Sequence, residues 1–454
     1  MERTGQEGQS PPDPDPPVLS IMIVAGEASG DKHGASLAQA LTRLNPEVNC
    51  KLFGSGGEEM RAAEVETLVD AREVGIIGVA EIARAAGKLY RAYRTLLGAA
   101  RSRRPSAVVL IDWPDFNMRL AKKLHREGFK IIYYISPQVW AWRRYRIRAL
   151  RRDVDRMLVI LPFEEEFYKR EGLAVRYVGH PLTAAACTTV SREGFCRRHG
   201  LDPARPIFAL LPGSRHKEIH YHLPVMLDAA MRLRSLRLSV DGFGRNEERF
   251  GQSQISNLNF KIPNPQAVDS RSEIRASQST APQFVVPLAS TVRREDVEPA
   301  IQEAQLAARG RAGGNPDQLC LTVVEGDTHN AIGHSEFAVV ASGTATVEAA
   351  LAGTPMVIIY RGSELNWRLI RPLIRLDTFG MVNLIAGRRI VPELMQHEAT
   401  GEKIALEVTA ILSDPARLAR MRQELGRVRE LLAEAGSSAS ERAAQAVIDV
   451  IGER

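Results

Sequence analysis

Residues Ala341–Pro355 read ASGTATVEAALAGTP, and the way they join their neighbours decides the fold. The apolar, β-branched run Phe337–Val340 ends abruptly in Ser-Gly-Thr, and a helical pattern starts at once. That is a strand feeding a helix through a tight turn whose small residues let a ligand reach the backbone. The N–H groups at the start of such a helix, together with the positive end of its dipole, suit an anion. Glu348 stands about one turn in, where its carboxylate can accept hydrogen bonds from a sugar diol. Phosphate at the turn and ribose on the glutamate would together make a nucleotide site. A buried turn in which Glu348 merely complements the helix dipole fits the same residues, and both readings stand at this point.

Outward from this stretch, strand-like and helix-like runs alternate. Leu19–Val24 is a short buried-strand pattern, followed by AGEASGD and a helix through Leu44. Ala107–Ile111, Lys130–Ile135, Arg156–Leu161 and Val175–Val178 continue the series. Near Gly179-His180-Pro181-Leu182 the pattern lapses into a linker, and it restarts at Pro206 with IFALLPGSR. Gln283–Pro287, Cys320–Val324, Phe337–Val340 and Met356–Tyr360 follow. Repetition of this kind predicts parallel, doubly wound sheets. The break predicts two of them, an α/β chain of two Rossmann-like domains, 19–190 and 200–430, with 431–454 as a terminal segment. Ligands of such folds bind at the carboxyl ends of the strands and in the cleft between halves.

Two stretches depart from the alternation. Residues 1–18 open with MERTGQEGQSPPDPDPP, which is polar, proline-rich and acidic, the opposite of a signal peptide, and reads as a disordered leader. Leu233–Pro282 is rich in Ser, Asn, Gln and Arg without a sustained period. It lies between a helix, Leu223–Arg234, and a strand that a short loop would normally join. It is expected to be a disordered insertion, or a sequence artefact, carrying no chemistry.

The 454 residues suffice for two to three domains, and 44% hydrophobic with 25% charged residues is ordinary for a soluble globular chain. A formal net charge of +6 favours an anionic partner: phosphate, nucleic acid or a membrane surface. Cys50, Cys187, Cys196 and Cys320 are scattered without a CxxC pair, which argues for a reducing compartment and against a disulfide framework or zinc site. No apolar stretch reaches the length of a membrane span. A cytosolic protein that touches membranes only from outside is expected.

Four constellations carry chemistry. In Val24–Asp31, VAGEASGD, small residues around Gly26, Glu27 and Ser29 follow a strand and can approach a substrate closely, although the loop is not GxGxxG. Asp31 and His33 at its end either cap the next helix or face the cleft. In Ile111–Asn117, IDWPDFN, Asp112 and Asp115 stand at a strand's carboxyl end with Pro114 fixing the turn between them. A carboxylate there can serve as general base, and Asx-turn capping is the structural alternative. In Leu210–Glu218, LLPGSRHKE, Gly213 and Ser214 end a strand and Arg215 offers a fork suited to phosphate oxygens. His216, His220 and His222 lack the HExxH order and read as solvated helix positions rather than metal ligands.

The fourth constellation is basic and aromatic. In Gln138–Arg156, QVWAWRRYRIRALRRDVDR, helical spacing puts Arg144, Arg148 and Arg152 on one face. Upstream, Ile82, Ala86, Leu89, Tyr93 and Leu96 form an apolar stripe opposite Arg84, Lys88 and Arg91. With Gly75–Val79, GIIGV, this region suits an anionic membrane surface, or else is a sheet-covering helix with a solvated basic face. No nucleic-acid motif is present, so no nucleic-acid partner is expected.

Taken in order, GEASGD, GIIGVAEI, IDWPDFN, YYISPQVWAWR, LPFEEEFY, YVGHPL, LLPGSR, ASGTATVEAALAGTPMVIIYR and MVNLIAGRRIVPEL resemble the lipid-A-disaccharide synthase family of Gram-negative bacteria. The resemblance runs from about Leu19 to the C-terminus, Leu233–Pro282 excepted. It implies a GT-B glycosyltransferase, two Rossmann-like doubly wound domains facing a central cleft, inverting, with no metal and no cofactor. It further implies joining of UDP-2,3-diacylglucosamine to 2,3-diacylglucosamine 1-phosphate (lipid X), giving a β-1,6-linked disaccharide and UDP. On that resemblance Gly213, Ser214 and Arg215 with Ser342, Gly343 and Thr344 would neutralise the departing diphosphate, and Glu348 would hold the ribose. Asp112 comes first as base, then Asp115 and Asp31. Gly26, Glu27, Ser29 and Asn383 would contact substrate.

The resemblance also implies a C-terminal helix (Ser438–Ile451) that crosses back to the N-terminal domain, a possible homodimer, and peripheral attachment to the inner membrane. Another GT-B transferase acting on a membrane lipid would share the nucleotide half and differ in IDWPDFN and SPQVWAWR. A dinucleotide oxidoreductase would need GxGxxG and an acidic residue after the second strand. A non-catalytic membrane module would have no use for nucleotide-type loops.

Overall fold

The computed structural model describes residues 18–44, 46–71, 82–141, 143–183, 188–236, 281–312, 319–364, 367–368, 371, 378–433 and 438–453. They divide into two units, Met1–Gly179 with Ser437–Arg454, and His180–Gly436. The predicted leader, GIIGV and most of Leu233–Pro282 lie outside the described residues.

Unit 1 is built on seven parallel strands: β1 (Val18–Val24), β2 (Asn49–Gly56), β3 (Glu66–Asp70), β4 (Ala107–Ile111), β5 (Ile131–Tyr134), β6 (Arg156–Val159) and β7 (Val175–Tyr177), in the spatial order β3-β2-β1-β4-β5-β6-β7. β4 is apolar at every position because it is covered on both faces. Alternate residues serve opposite cores: Met22, Val24, Val108 and Leu110 enter one cluster, Ile21, Ile23, Val109 and Ile111 the other. The first cluster also receives Leu96 and Leu97 from the helix Ile82–Arg103, with Leu89 and Tyr93 packed against it. That part of the apolar stripe is therefore turned to the protein's own core, while Lys88 and Arg91 are exposed. The arginine-rich run is not one helix either: a 3-10 turn, Arg144–Arg146, leads into a short helix, Ile147–Asp153.

The second cluster is closed by the C-terminal helix Ala439–Gly452, whose Ala443, Ala444, Val447 and Val450 pack with the helix Ala28–Leu44. Ser438 caps it, accepting from Glu441 N–H at 3.2 Å, while the Glu441 carboxylate accepts from Ser438 N–H at 3.0 Å. Lys130 Nζ donates to the Val450 carbonyl at 2.6 Å and also to that of Glu453, satisfying carbonyls that a helix end leaves open. Arg442 Nε donates to Val178 O at 3.0 Å beside Gly179, the last residue of the unit's first segment. At φ +78° Gly179 has no room for a side chain, since a Cβ there would meet Arg442 Nη2.

Unit 2 repeats the pattern with six parallel strands: β8 (Ile207–Leu211), β9 (Gln283–Pro287), β10 (Leu321–Val324), β11 (Phe337–Ala341), β12 (Met356–Tyr360) and β13 (Glu393–Met395), ordered β10-β9-β8-β11-β12-β13. Counted from its own first strand, each sheet reads 3-2-1-4-5-6, the doubly wound order, with β7 added as a seventh strand at the edge of unit 1. The direction of winding reverses between β1 and β4 in unit 1 and between β8 and β11 in unit 2. Open parallel sheets bind ligands outside the carboxyl ends of the strands at such a reversal. All four loops singled out from sequence leave the sheet at these two places: VAGEASGD after β1, IDWPDFN after β4, PGSR after β8 and SGTATVE after β11.

Candidate active site

In unit 1 the chain turns sharply at the end of β4. Asp112 and Trp113 are consecutive non-glycine residues in the left-handed region, at φ 45° and 49°. Such a pair persists only where its surroundings over-determine it. Asn117, wholly buried, donates its amide N–H to Ile111 O (3.1 Å) and Asp112 O (2.8 Å). The Tyr133 hydroxyl donates to Asp112 O at 2.6 Å, and Asp112 N–H donates to Tyr134 O at 3.1 Å. Burial first, and then the Asp112 charge, hold the Tyr133 phenol well above its ordinary pKa, so it remains a donor. Trp113 stacks on Phe116, centroids 3.9 Å apart, and covers Gly26 of the β1 loop. A Cβ on Gly26 would lie 2.1 Å from that indole, so the two loops interlock only because residue 26 is glycine.

The candidate carboxylates part company here. Asp112 is half-buried at the strand end. Asp115 is exposed in the first turn of the helix Pro114–Arg126 and pairs with Arg146 and with Arg143 at 3.6 Å. Asp31, a candidate base by its motif, is instead a cap. Its buried carboxylate accepts from Gly57 N–H (2.6 Å), Glu59 N–H (3.1 Å) and Met60 N–H (3.1 Å) at the start of the helix Glu58–Ala62. Asp31 itself lies in the first turn of the helix Ala28–Leu44, so the helix it caps is the next one along the chain and not its own. His33 next to it is pushed down to about 4 by burial, with Lys32 adding, and is neutral near neutral pH. Gly26 is buried, Glu27 half-buried and Ser29 exposed.

The neighbouring loop rises from β5, and Ile135, β-branched, is also left-handed at φ 63°. Its internal partner is Glu164, in the helix Pro162–Arg170 after β6. One oxygen, Oε1, accepts from Ser136 Oγ–H (2.6 Å) and Trp140 Nε1–H (3.0 Å), and Oε2 accepts from Leu161 N–H (3.1 Å). Burial raises this carboxyl to about 7 in spite of those donors. Sequence reading passed over Glu164 and Tyr133. The available signal was a glutamate three residues after Leu161, at a helix start that carries a proline.

In unit 2, Gly213 takes φ +121°, a conformation suited to glycine, and has the Glu218 side chain directly against it. Glu218 accepts from Ser214 N–H at 2.8 Å and lies 3.7 Å from Arg215, whose side chain is 72% exposed at the start of the helix His216–Leu233. Across the reversal, Ser342 donates its hydroxyl to Phe379 O (3.1 Å) and its N–H to Ile359 O (2.8 Å). Gly343 and Thr344 lead into the helix Ala345–Leu351, and Glu348 is half-buried on it. That helix has seven residues, so backbone N–H groups rather than a long dipole give the turn its positive character.

Two expectations are corrected in this unit. His222 is not a solvated helix position. It is 2% exposed, its Nδ1 lies 2.8 Å from Pro212 O, and its Nε2 accepts from Arg361 N–H at 3.0 Å. A ring that donates at one nitrogen and accepts at the other is neutral, and burial lowers its pKa accordingly. It ties the loop after β8 to the loop after β12. Asn383, expected to contact substrate, is wholly buried and saturated: it donates to Val391 O and Glu393 Oε1 and accepts from Ile390 and Val391 N–H. Glu393 in turn accepts from Phe379 and Gly380 N–H, both at 2.9 Å. Asn383 therefore shapes the segment against which Ser342 rests. Among the described residues no cluster of three His, Cys, Asp or Glu could hold a metal ion, and no helix is long and apolar enough to cross a membrane.

A solved UDP-GlcNAc 2-epimerase from Neisseria meningitidis, bound to UDP-GlcNAc, superposes with a TM-score of 0.56 at 10% identity, covering 96% of this chain and all of that one. A glycosyltransferase from Rickettsia africae gives 0.51 at 11% identity over 96% and 99%. Likeness at that identity shows the fold, the two-Rossmann GT-B architecture. In sequence, the lipid-A-disaccharide synthases of Koribacter versatilis and Geobacter metallireducens are 40% and 39% identical, over 95% and 96% of this chain and 99% of each relative. The family model described as lipid-A-disaccharide synthetase matches residues 21–266 and 282–448. That match corrects the expected insertion, since only 267–281 of Leu233–Pro282 fall outside the family pattern. With a family match over most of the chain and relatives at 40% identity along nearly their whole length, the chain belongs to the lipid-A-disaccharide synthase family.

Proposed function

We propose that the chain is a hexosyltransferase of lipid A synthesis that condenses UDP-2,3-diacylglucosamine with 2,3-diacylglucosamine 1-phosphate. The products are the β-1,6-linked disaccharide 1-phosphate and UDP. The observation that carries the reading is the pairing of family membership with two winding reversals of unlike chemistry, one bearing Asp112, the other Arg215 and Ser342–Thr344.

In this reading unit 2 takes the nucleotide. Arg215 and the N–H groups around Ser342, Gly343 and Thr344 meet the diphosphate, Gly213 and Ser214 let it approach the backbone, and Glu348 accepts from the ribose hydroxyls. Unit 1 takes the acceptor, with Gly26, Glu27 and Ser29 lining its loop. Asp112 removes the proton from the attacking hydroxyl as the sugar–phosphate bond breaks on the opposite face, which inverts the anomeric centre. Asp115, already paired with two arginines, and Asp31, fully engaged as a cap, serve structure. A homodimer and peripheral attachment to the inner membrane belong to the same proposal. The exposed Tyr90 and Tyr145 and the arginines around Arg148 are the membrane-facing candidates.

Purified protein incubated with UDP-2,3-diacylglucosamine and lipid X, without divalent metal, should release UDP and form the disaccharide. Absence of UDP release would sink the proposal.

A further inference from the structure

Glu164 takes no part in the reaction as proposed, yet its carboxylate gathers donors from two loops on the carboxyl edge of sheet β3–β7. Ser136 and Trp140 belong to the loop that leaves β5, and Leu161 precedes Glu164 after β6. The β5 loop starts directly beside the Asp112 turn, because Tyr134 O accepts from Asp112 N–H, while Ile135 N–H donates to Leu158 O of β6 on the other side. The loop is held from below by Glu164 and by the Tyr168 hydroxyl, which donates to Pro137 O at 2.9 Å. Its far end is tied to the Asp112 turn through Arg143, Arg146 and Asp115.

The chemistry of the donors favours glutamate over glutamine. A serine hydroxyl can reverse its role, but an indole N–H and a backbone N–H only donate. Trp140 addresses one oxygen and Leu161 the other, so both oxygens must accept. A glutamine offers one. The Leu161 contact is local, three residues away, whereas the Trp140 contact spans 24 residues and holds the half-buried indole inward against Phe163 (centroids 5.0 Å, edge to face).

We propose that Glu164 is a positioning residue for the acceptor: it draws Ser136 and Trp140 inward so that the β5 loop forms a fixed wall of the acceptor crevice beside Asp112. This rests on the reading that unit 1 takes the acceptor. Glu164 touches no substrate and acts through Trp140.

The test compares Glu164→Gln, Trp140→Phe and the double variant, each checked for native circular dichroism. Glu164→Gln should raise KM for lipid X about tenfold, the scale of a lost hydrogen bond to a charged group, with KM for the UDP-sugar and kcat within twofold of wild type. Trp140→Phe should raise the same KM, and the double variant should match the worse single one, because both changes break one link. Acrylamide quenching of tryptophan emission should increase in Glu164→Gln and not in Glu164→Gln on the Trp140→Phe background. Additive effects, a rise in KM for the UDP-sugar instead, or unchanged quenching would overturn the proposal. If Glu164→Gln does not fold, an unchanged lipid X KM in Trp140→Phe overturns it alone. Failure of the functional reading is distinguishable, since the wild type itself would then release no UDP.

Discussion

The two winding reversals share one topology and have opposite character. In unit 1 the strand ends are locked: two left-handed residues in a row, a buried asparagine and a buried tyrosine on one carbonyl, and an indole seated on a glycine of the facing loop. In unit 2 the strand ends carry small residues, an exposed arginine and backbone donors, and the buried groups around them, His222, Asn383 and Glu393, hold loops rather than reacting groups. Rigid placement of one carboxylate is what proton transfer needs. A diphosphate is met by several donors at once, so no one of them has to be so closely fixed. Equivalent folds thus differ in what is fixed: the backbone of one residue, Asp112, in unit 1, and the paths of the surrounding loops in unit 2.

The sharpest way to break this contrast is to remove the carboxylate that the locked turn carries. Asp112→Ala should lower kcat by about 10²–10⁴-fold, the usual worth of a general base, without raising KM for the UDP-sugar. If turnover survives, the base lies elsewhere and Asp115 becomes the next candidate. Arg215→Ala should lower kcat/KM for the UDP-sugar by about 10²-fold, the scale of one lost oxyanion donor, with the KM for lipid X unchanged. An effect on lipid X alone would place Arg215 on the acceptor side.

Glu164 gives a thermodynamic version of the contrast. Its folded pKa of about 7 lies above its ordinary 4.5. The native state therefore holds a proton that the unfolded chain releases as pH rises from 4.5 to 7. Stability from this group falls across that window, by about 3 kcal/mol, and is level above it. Chemical denaturation from pH 4.5 to 7.5 should show this fall in wild type and lack it in Glu164→Gln. Smallest is Gly26→Ala, which should cost about 1–3 kcal/mol by forcing Trp113 off its seat, read as a lower unfolding midpoint. An unchanged midpoint would mean that the β1 and β4 loops are not interlocked.

Much of the fold was legible because β1, β4, β8, β9, β11 and β12 are mainly apolar and mainly buried runs, and small residues follow β1 and β11. β2, β3 and β13 were not. β2 begins with three positions that are not fully buried and ends in glycines, β3 is an edge strand, and β13 has only three residues. The helix carrying His222 starts at His216, earlier than the pattern from Leu223 suggested, and its buried face includes that histidine. At the site, three of the four loops could be read because glycine and serine follow a strand, and the fourth, IDWPDFN, because Pro114 fixes a turn between two aspartates. Asp31, Asn383, Glu164 and His222 could not, because the partners that set their roles lie many residues away in the chain and meet them only in the fold. A polar residue in a motif looks the same whether it meets a ligand or a loop.

The division of labour between the two reversals is tested most directly by calorimetric UDP binding to Asp112→Ala and Arg215→Ala, set beside their turnover. Asp112→Ala should bind UDP as wild type does while turnover collapses, and Arg215→Ala should lose UDP affinity. Loss of UDP binding in Asp112→Ala, in proportion to its lost turnover, would contradict that division.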